Sequence, residues 1–146
     1  MIRFAATAAA ALLLTAAPAL AQSADNKVVL TFETGARTGM VMVALYDSAR
    51  AFDGGADSEA NRAVARTAIS ASGRVVATFD NLPAGDYAVK AFHDVNGDGE
   101  MNTNPFGMPT EPYAFSNNAV GNMGPARWDR AHFAVSGETA QTISIR

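Results

Sequence analysis

The sequence contains no cysteine among its 146 residues, so no disulfide bond can stabilise the fold. Charged residues make up only 17%, the formal net charge is −3, and Lys and Arg form no cluster. Without a basic patch to meet a phosphate backbone, we expect no nucleic-acid partner. The stability of the fold must therefore come from packing and from any ion that the folded chain binds.

One long apolar run is present, at the N-terminus. Met1–Ala21 contains a single basic residue, Arg3, then an Ala/Leu-rich stretch that ends in small residues before Gln22. This order is typical of a secretory signal peptide. We therefore predict export to the periplasm or beyond, as in Gram-negative bacteria, and one mature domain of residues 22–146. The run is short and contains Pro18, so no membrane contact is expected after cleavage.

Lys and Arg are also absent from Ala91 to Ala126, a stretch that carries four acidic residues. Residues 94–104 read Asp-Val-Asn-Gly-Asp-Gly-Glu-Met-Asn-Thr-Asn. Oxygen-bearing side chains at alternate positions, followed by glycine, are typical of a loop that curls around Ca²⁺, which takes roughly six to eight oxygen ligands. The candidate ligands are Asp94, Asn96, Asp98, Glu100 through its carbonyl, Asn102, Asn104 and, further along, Glu111.

The calcium pattern differs from that of an EF-hand. The twelfth position, where an EF-hand has a bidentate Glu, is Pro105, and the residues before Asp94 read as a strand. Glu111 could supply the missing carboxylate if the loop returns past its own start, or it could be a solvated loop residue. Asp47, at the end of an earlier strand, is a weaker candidate. The alternative for the whole segment is a connection rich in turns, because Asn-Gly and Asp-Gly form turns without a metal.

Alternating apolar residues separated by turns predict about seven short strands and no long helix. An antiparallel β-sandwich is the natural way to bury one face of each strand. The sequence therefore predicts an all-β domain, prealbumin- or Ig-like, with a long acidic loop between two late strands. The predicted strands are 27–34, 40–46, 62–70, 74–79, the strand from Tyr87 that leads to Asp94, 129–135 and 139–146.

The segment Phe79–Val89 contains Leu82-Pro83-Ala84-Gly85-Asp86-Tyr87. It resembles the Leu-Pro-x-Gly-x-Tyr turn of prealbumin-like sandwiches, including carboxypeptidase regulatory-like and collagen-adhesin B-type repeats. Pro83 presets φ, and Gly85 is expected to take the left-handed conformation that reverses the chain.

A second resemblance covers most of the mature chain. The run from Tyr87 to Gly99, together with further residues up to Ala119, resembles the bacterial domain of unknown function 2141 family. The resemblance implies an exported bacterial protein of about this size and no particular activity. Members often have Leu-Asp where this chain has Met101-Asn102, which removes one charge from the expected ligands. The further matching residues are Asn104, Gly107, Pro109, Glu111, Tyr113 and Phe115-Ser116-Asn117-Asn118-Ala119.

Other residues offer weaker chemistry. His93 and His132 could bind zinc or form an acid/base pair with a carboxylate if they met in space. No spacing connects them, so ordinary hydrogen-bonded histidines are the simpler interpretation. Ser116, Asn117 and Asn118 are predicted to cap backbone groups in the long loop, because no nucleophile-elbow motif surrounds the serine.

Three hypotheses about function follow. The first is a non-catalytic structural or binding module whose loop is ordered by calcium. The second is a module that binds carbohydrate or peptide at the cell surface through Tyr113, Phe115 and Trp128, which requires exposed rings. The third is a small hydrolase that uses His93 and neighbouring carboxylates.

Overall fold

A computed structural model of the protein describes residues 25–55 and 62–146. The predicted signal peptide, residues 1–21, lies outside the described residues. Strands dominate, with two short helices and one 3₁₀ turn among the described residues. In chain order the elements are β1 (Asn26–Tyr46), α1 (Ala49–Asp53), β2 (Ala65–Leu82), β3 (Gly85–Asp94), β4 (Tyr113–Phe115), the 3₁₀ turn (Ser116–Asn118), α2 (Trp128–Ala131), β5 (Phe133–Val135) and β6 (Glu138–Ser144).

β1 and β2 form a long antiparallel hairpin that bends in the middle. Successive side chains of a strand point to opposite faces, so Leu30 and Phe32 face the core together and are fully buried. Beyond the bend the fully buried residues of β1 are Val41 and Leu45. The inward-facing positions of β1 therefore change from even to odd numbers.

The bend is a bulge in β1. From Glu33 to Thr38 β1 advances 38 − 33 = 5 residues, whereas β2 advances 74 − 72 = 2, from Arg74 to Ser72. The three extra residues invert the facing of the side chains, because the period of a strand is two. The predicted turn at Gly35–Gly39 is thus a bulge in a continuous strand, and β1 contains two of the predicted strands.

The strands belong to one mixed sheet that curls into a nearly closed barrel. The central order is β2-β1-β3-β4, and β5 pairs with β3. The prediction of an antiparallel sandwich is wrong in strand direction, because β6 runs parallel to β1 from Lys27↔Glu138 to Glu33↔Ser144. The all-β class is confirmed.

Two clusters of buried residues fill the interior. The larger cluster lies within the barrel and includes Phe32, Val89 and Ile143. The smaller lies beneath α1 and α2 and is centred on Phe52, which is 1% exposed and contacts the rings of Tyr46, Phe115 and Trp128 edge to face. Such aromatic contacts stabilise beyond the buried area alone.

Three elements differ from the sequence-based prediction. The predicted strand 129–135 begins with helix α2, and only Phe133–Val135 is a strand. The long segment after Asn104, predicted without regular structure, contains β4 and the 3₁₀ turn. Gly85 does not have a positive φ, and the left-handed residue before this turn is Asn81, near the end of β2, with φ 57°.

No helix among the residues described is both long and apolar enough to cross a membrane.

Candidate functional site

The site is the β3–β4 loop, residues 95–112, which begins where β3 ends. Asp94 is the last residue of β3, pairs with Met40 of β1 and is 1% exposed. Its carboxylate accepts hydrogen bonds from the backbone N–H of Gly97 at 2.7 Å and of Gly99 at 2.8 Å. Both glycines have positive φ, 77° and 81°, as the predicted curl of the loop requires. A rigid strand therefore positions the first candidate ligand.

Two asparagine side chains of the loop donate hydrogen bonds to the Asp98 carboxylate. The Nδ2 groups of Asn96 and Asn102 donate to its Oδ2 at 3.0 and 2.8 Å. Asn96 also donates to Asn102 Oδ1 at 2.9 Å, and the backbone N–H of Glu100 donates to Asp98 Oδ1 at 2.9 Å. The hydrogen bonds from Asn102, Glu100 and Asn96 lower the pKa of the Asp98 carboxyl below its ordinary value. Asp98 is therefore held as an anion among amides.

Glu111 returns to the start of the loop, as the sequence suggested it could. Its side chain is buried, with 8% of the residue exposed. Oε1 accepts a hydrogen bond from the backbone N–H of Val95 at 2.8 Å, and Oε2 from that of Asn102 at 3.2 Å. One carboxylate thus connects the first residue of the loop to its middle. The alternative of a solvated glutamate is wrong, because burial and two amide donors hold this side chain in place.

Three other candidates take different positions. The Asn104 side chain faces the tip of the loop, where its Oδ1 accepts from the backbone N–H of Phe106 at 2.9 Å and of Met108 at 3.0 Å. The Glu100 side chain is exposed. Asp47 lies elsewhere: it follows Tyr46, which pairs with Ala88, roughly 20 Å along β3 from Asp94 at the rise of a strand. The structure therefore gathers Asp94, Asn96, Asp98, Asn102 and Glu111.

The carboxylates of the loop accept hydrogen bonds from amide N–H groups and form no ion pairs with basic side chains among the described residues. The ion pairs found in the described part of the chain are Lys27–Glu138, Arg74–Glu33 and Arg127–Asp53, and none of them reaches the loop. Within the same residues, no group of three or more His, Cys, Asp or Glu side chains is placed to hold a metal ion. Calcium ligation also uses amide and backbone carbonyl oxygens, which this loop has in number.

The two histidines do not form a shared site. His132 precedes Phe133, which pairs with Tyr87 at the start of β3, whereas His93 lies six residues further along β3, roughly 20 Å away. The His132 ring stacks on the Trp128 ring with 5.6 Å between the ring centroids, and His132 Nδ1 lies 2.9 Å from the Trp128 carbonyl oxygen.

His93 is fully buried beside the loop. Its Nε2 lies 3.0 Å from the Thr38 carbonyl, which can only accept, so Nε2 carries the proton. Its Nδ1 has no hydrogen-bond partner among the described residues. The acid/base pair or zinc site made of both histidines is therefore wrong. Alternation along β3 places His93 on the same inward face as Val89 and Ala91, but its complete burial also depends on the contact with Thr38 of β1.

The three aromatic residues proposed as a binding surface are not exposed together. Tyr113 is 40% exposed, but Phe115 is 8% exposed and packs in the smaller cluster. Trp128 is half-buried against Phe52 and His132. One exposed ring remains, so the prediction of a surface built from all three is wrong.

The fold and the loop define the class of protein. It is a small all-β protein with a curled mixed sheet, and the loop after its third strand is held by hydrogen bonds between its own side chains and backbone. The chain belongs to the family described as an uncharacterized protein conserved in bacteria, DUF2141, whose model matches residues 33–144. The matched range includes the entire β3–β4 loop, and the family membership predicted from the sequence is confirmed. No curated protein and no solved structure matches the chain.

Proposed function

We propose that this protein is an exported, non-catalytic structural or binding module whose β3–β4 loop binds one calcium ion. The observation that carries the proposal is the convergence of oxygen-bearing side chains at the head of the loop. The side chains of Asn96, Asp98 and Asn102 are hydrogen-bonded to one another, with donor–acceptor distances of 3.0, 2.9 and 2.8 Å. Asp94 and Glu111 are buried, and both accept hydrogen bonds from backbone N–H groups of residues 95–102.

The charge of the loop favours a divalent cation. Asp94, Asp98 and Glu111 bring three carboxylates into a segment without Lys or Arg. Each carboxylate oxygen has two lone pairs, and amide donors use only part of this capacity. A hard cation that prefers oxygen ligands would use the remaining lone pairs.

The amide side chains can change roles when an ion binds. Asn96 and Asn102 now present their Nδ2 groups to Asp98. A half-turn of each terminal amide would present Oδ1 in place of the NH₂ group. The cation would then replace these donors as the group that balances the charge of Asp98. The backbone carbonyl of Glu100 would complete the set of calcium ligands. Asn104 would not be a ligand, because its Oδ1 accepts hydrogen bonds at the tip of the loop.

Calorimetry and thermal unfolding test the proposal. We expect calcium to bind with a dissociation constant on the order of 10⁻⁴ to 10⁻³ M, as in extracellular modules. At ten times this concentration, binding to the folded state alone would stabilise it by ~1.4 kcal/mol. The measurements are titration heat and the shift in melting temperature upon addition of CaCl₂, with MgCl₂ at the same ionic strength as reference.

Matched variants locate the ion. Asp98→Asn should abolish the calcium-dependent shift, because it removes a charge from the centre of the cluster. Asp86→Asn, an exposed carboxylate at the start of β3, should keep the shift. No heat and no change in melting temperature at millimolar calcium would refute the proposal, as would an equal loss in both variants.

A further inference from the structure

β2 has a free edge. It is hydrogen-bonded to β1 along Ala65–Leu82, and within the described part of the chain β1 is the only strand that pairs with it. The edge facing away from β1 therefore presents a row of unpaired backbone N–H and C=O groups over 18 residues. β2 is thus an end strand of the sheet.

The free edge leaves part of the core incompletely covered. Ala71 and Ala77 on the inward face of β2 are buried. Ala65, Ile69 and Val75 share that face but are only partly buried against the core cluster. An added strand beside β2 would cover these side chains and satisfy the backbone groups at once.

On the outward face of β2, the charges of one copy are complementary to those of a second copy paired antiparallel with it. From Arg66 to Asp80 its exposed positions are the even-numbered ones, which include Arg66, Arg74 and Asp80. In an antiparallel pair of two β2 strands centred on Gly73, paired residue numbers add to 146. This register sets Arg66 of each copy opposite Asp80 of the other, and it sets Arg74 opposite Ser72. Shifting the centre to Arg74 would place the two Arg74 side chains opposite each other, and like charges in that position are destabilising.

We propose that the free edge of β2 is a homodimer interface, at which two copies pair antiparallel about Gly73. The two-fold axis stands perpendicular to the sheet, so the inward faces of both copies lie on the same side. The interface is isologous and closes after two copies.

Charge exchange tests the register. Arg66→Asp sets two acidic pairs across the interface, and Asp80→Arg sets two basic pairs. Each single variant should raise the dimer dissociation constant by about tenfold or more, because two cross-strand pairs change from attraction to repulsion. An equimolar mixture of the two variants should dimerise again, since each acidic position then faces a basic one. Sedimentation equilibrium of the full chain and of each variant measures all four cases.

The outcomes decide the proposal. A dimer that weakens in both single variants and returns in the mixture supports it. A monomer at every concentration up to the millimolar range overturns it. A dimer that is insensitive to both substitutions also overturns it, because its interface then lies elsewhere. Circular dichroism confirms that each variant keeps its strand content.

Spin labels give an independent measurement of the same register. The chain has no cysteine, so a single introduced cysteine is the only labelling site. At Ala68 the two labels would be 146 − 2 × 68 = 10 residues apart along the paired strands, roughly 33 Å at the rise of a strand. At Ser70 the separation is 6 residues, roughly 20 Å. Measured label separations that differ from these two distances by the length of two strand residues or more would contradict the register.

Discussion

At the scale of residues, Ser116 shows how one side chain completes a sheet. β4 ends at Phe115, which is opposite Lys90, so the backbone N–H of Val89 lies just beyond the last strand residue. The fully buried Ser116 Oγ accepts from this N–H at 2.8 Å and donates to the Ala131 carbonyl at 2.6 Å. Ser116 does cap backbone groups, as predicted, but the prediction placed these groups in the long loop and they belong to β3 and α2.

Asn117 and Asn118 extend the same connection. Both have positive φ, 60° and 49°, a conformation that asparagine tolerates better than most residues. The Asn117 side chain donates to the carbonyls of Arg130 and His132, and that of Asn118 donates to the carbonyl of Thr142. These side chains connect the 3₁₀ turn to α2, β5 and β6. The residue types were readable from the sequence, but their partners lie 13 to 24 residues away.

Replacing Ser116 by Ala should destabilise the protein. The change leaves a buried N–H and a buried C=O without their partner, at a cost of about 1 to 3 kcal/mol. Chemical denaturation of Ser116→Ala measures the loss in unfolding free energy. Ser136→Ala, an exposed serine in the turn before β6, is the control and should change stability little. Equal stability of the two variants would contradict the role assigned to Ser116.

At the scale of elements, the bend of β1 positions the candidate site. Gly39, with φ 128°, lies against the end of β3, and a Cβ there would be 2.4 Å from the Asp94 carbonyl oxygen. No L side chain fits both the backbone angle and this approach. The sequence indicated a glycine-rich turn at this position. It could not show that the turn is a bulge against Asp94, because that contact joins residues 55 positions apart.

Gly39→Ala should therefore loosen the start of the loop. The strained φ and the backbone clash together should cost on the order of 1 to 3 kcal/mol or more. The measurements are unfolding free energy and the rate of limited proteolysis within residues 95–112. Gly85→Ala is the matched control, because a Cβ at Gly85 meets no atom within 4 Å and its φ is not positive. Similar proteolysis of the two variants would show that the β1 bend does not hold the loop.

At the scale of the whole molecule, β1 is the strand on which the barrel depends. It pairs with β2 along its length, with β6 over Lys27–Glu33 and with β3 over Met40–Tyr46. β2 pairs on one side only within the described residues. Within the described residues, β1 is therefore hydrogen-bonded along both of its edges, whereas β2 is hydrogen-bonded along one edge only.

Hydrogen exchange should report this difference. At a protein concentration where the chain is monomeric, β1 amides should exchange slowest, because both edges are bonded. In β2 the amides should alternate between slow and fast, since every second N–H faces the free edge. Amide-resolved exchange by NMR measures both patterns. Uniform slow exchange along β2 would mean that another segment covers its edge.

The sequence by itself determined the all-β class, the family and the loop in which the acidic and amide side chains lie, because these depend on local alternation and on a short motif. It also indicated that Glu111 could return to the start of the loop. Tertiary structure decided the rest. The parallel β1–β6 pair, the inversion at the bulge and the burial of His93 depend on contacts between distant residues. The sequence suggested that the acidic loop needs a cation to stay together. In the folded chain backbone amides already hold Asp94 and Glu111, and those donors become available only when the loop has folded back onto β3.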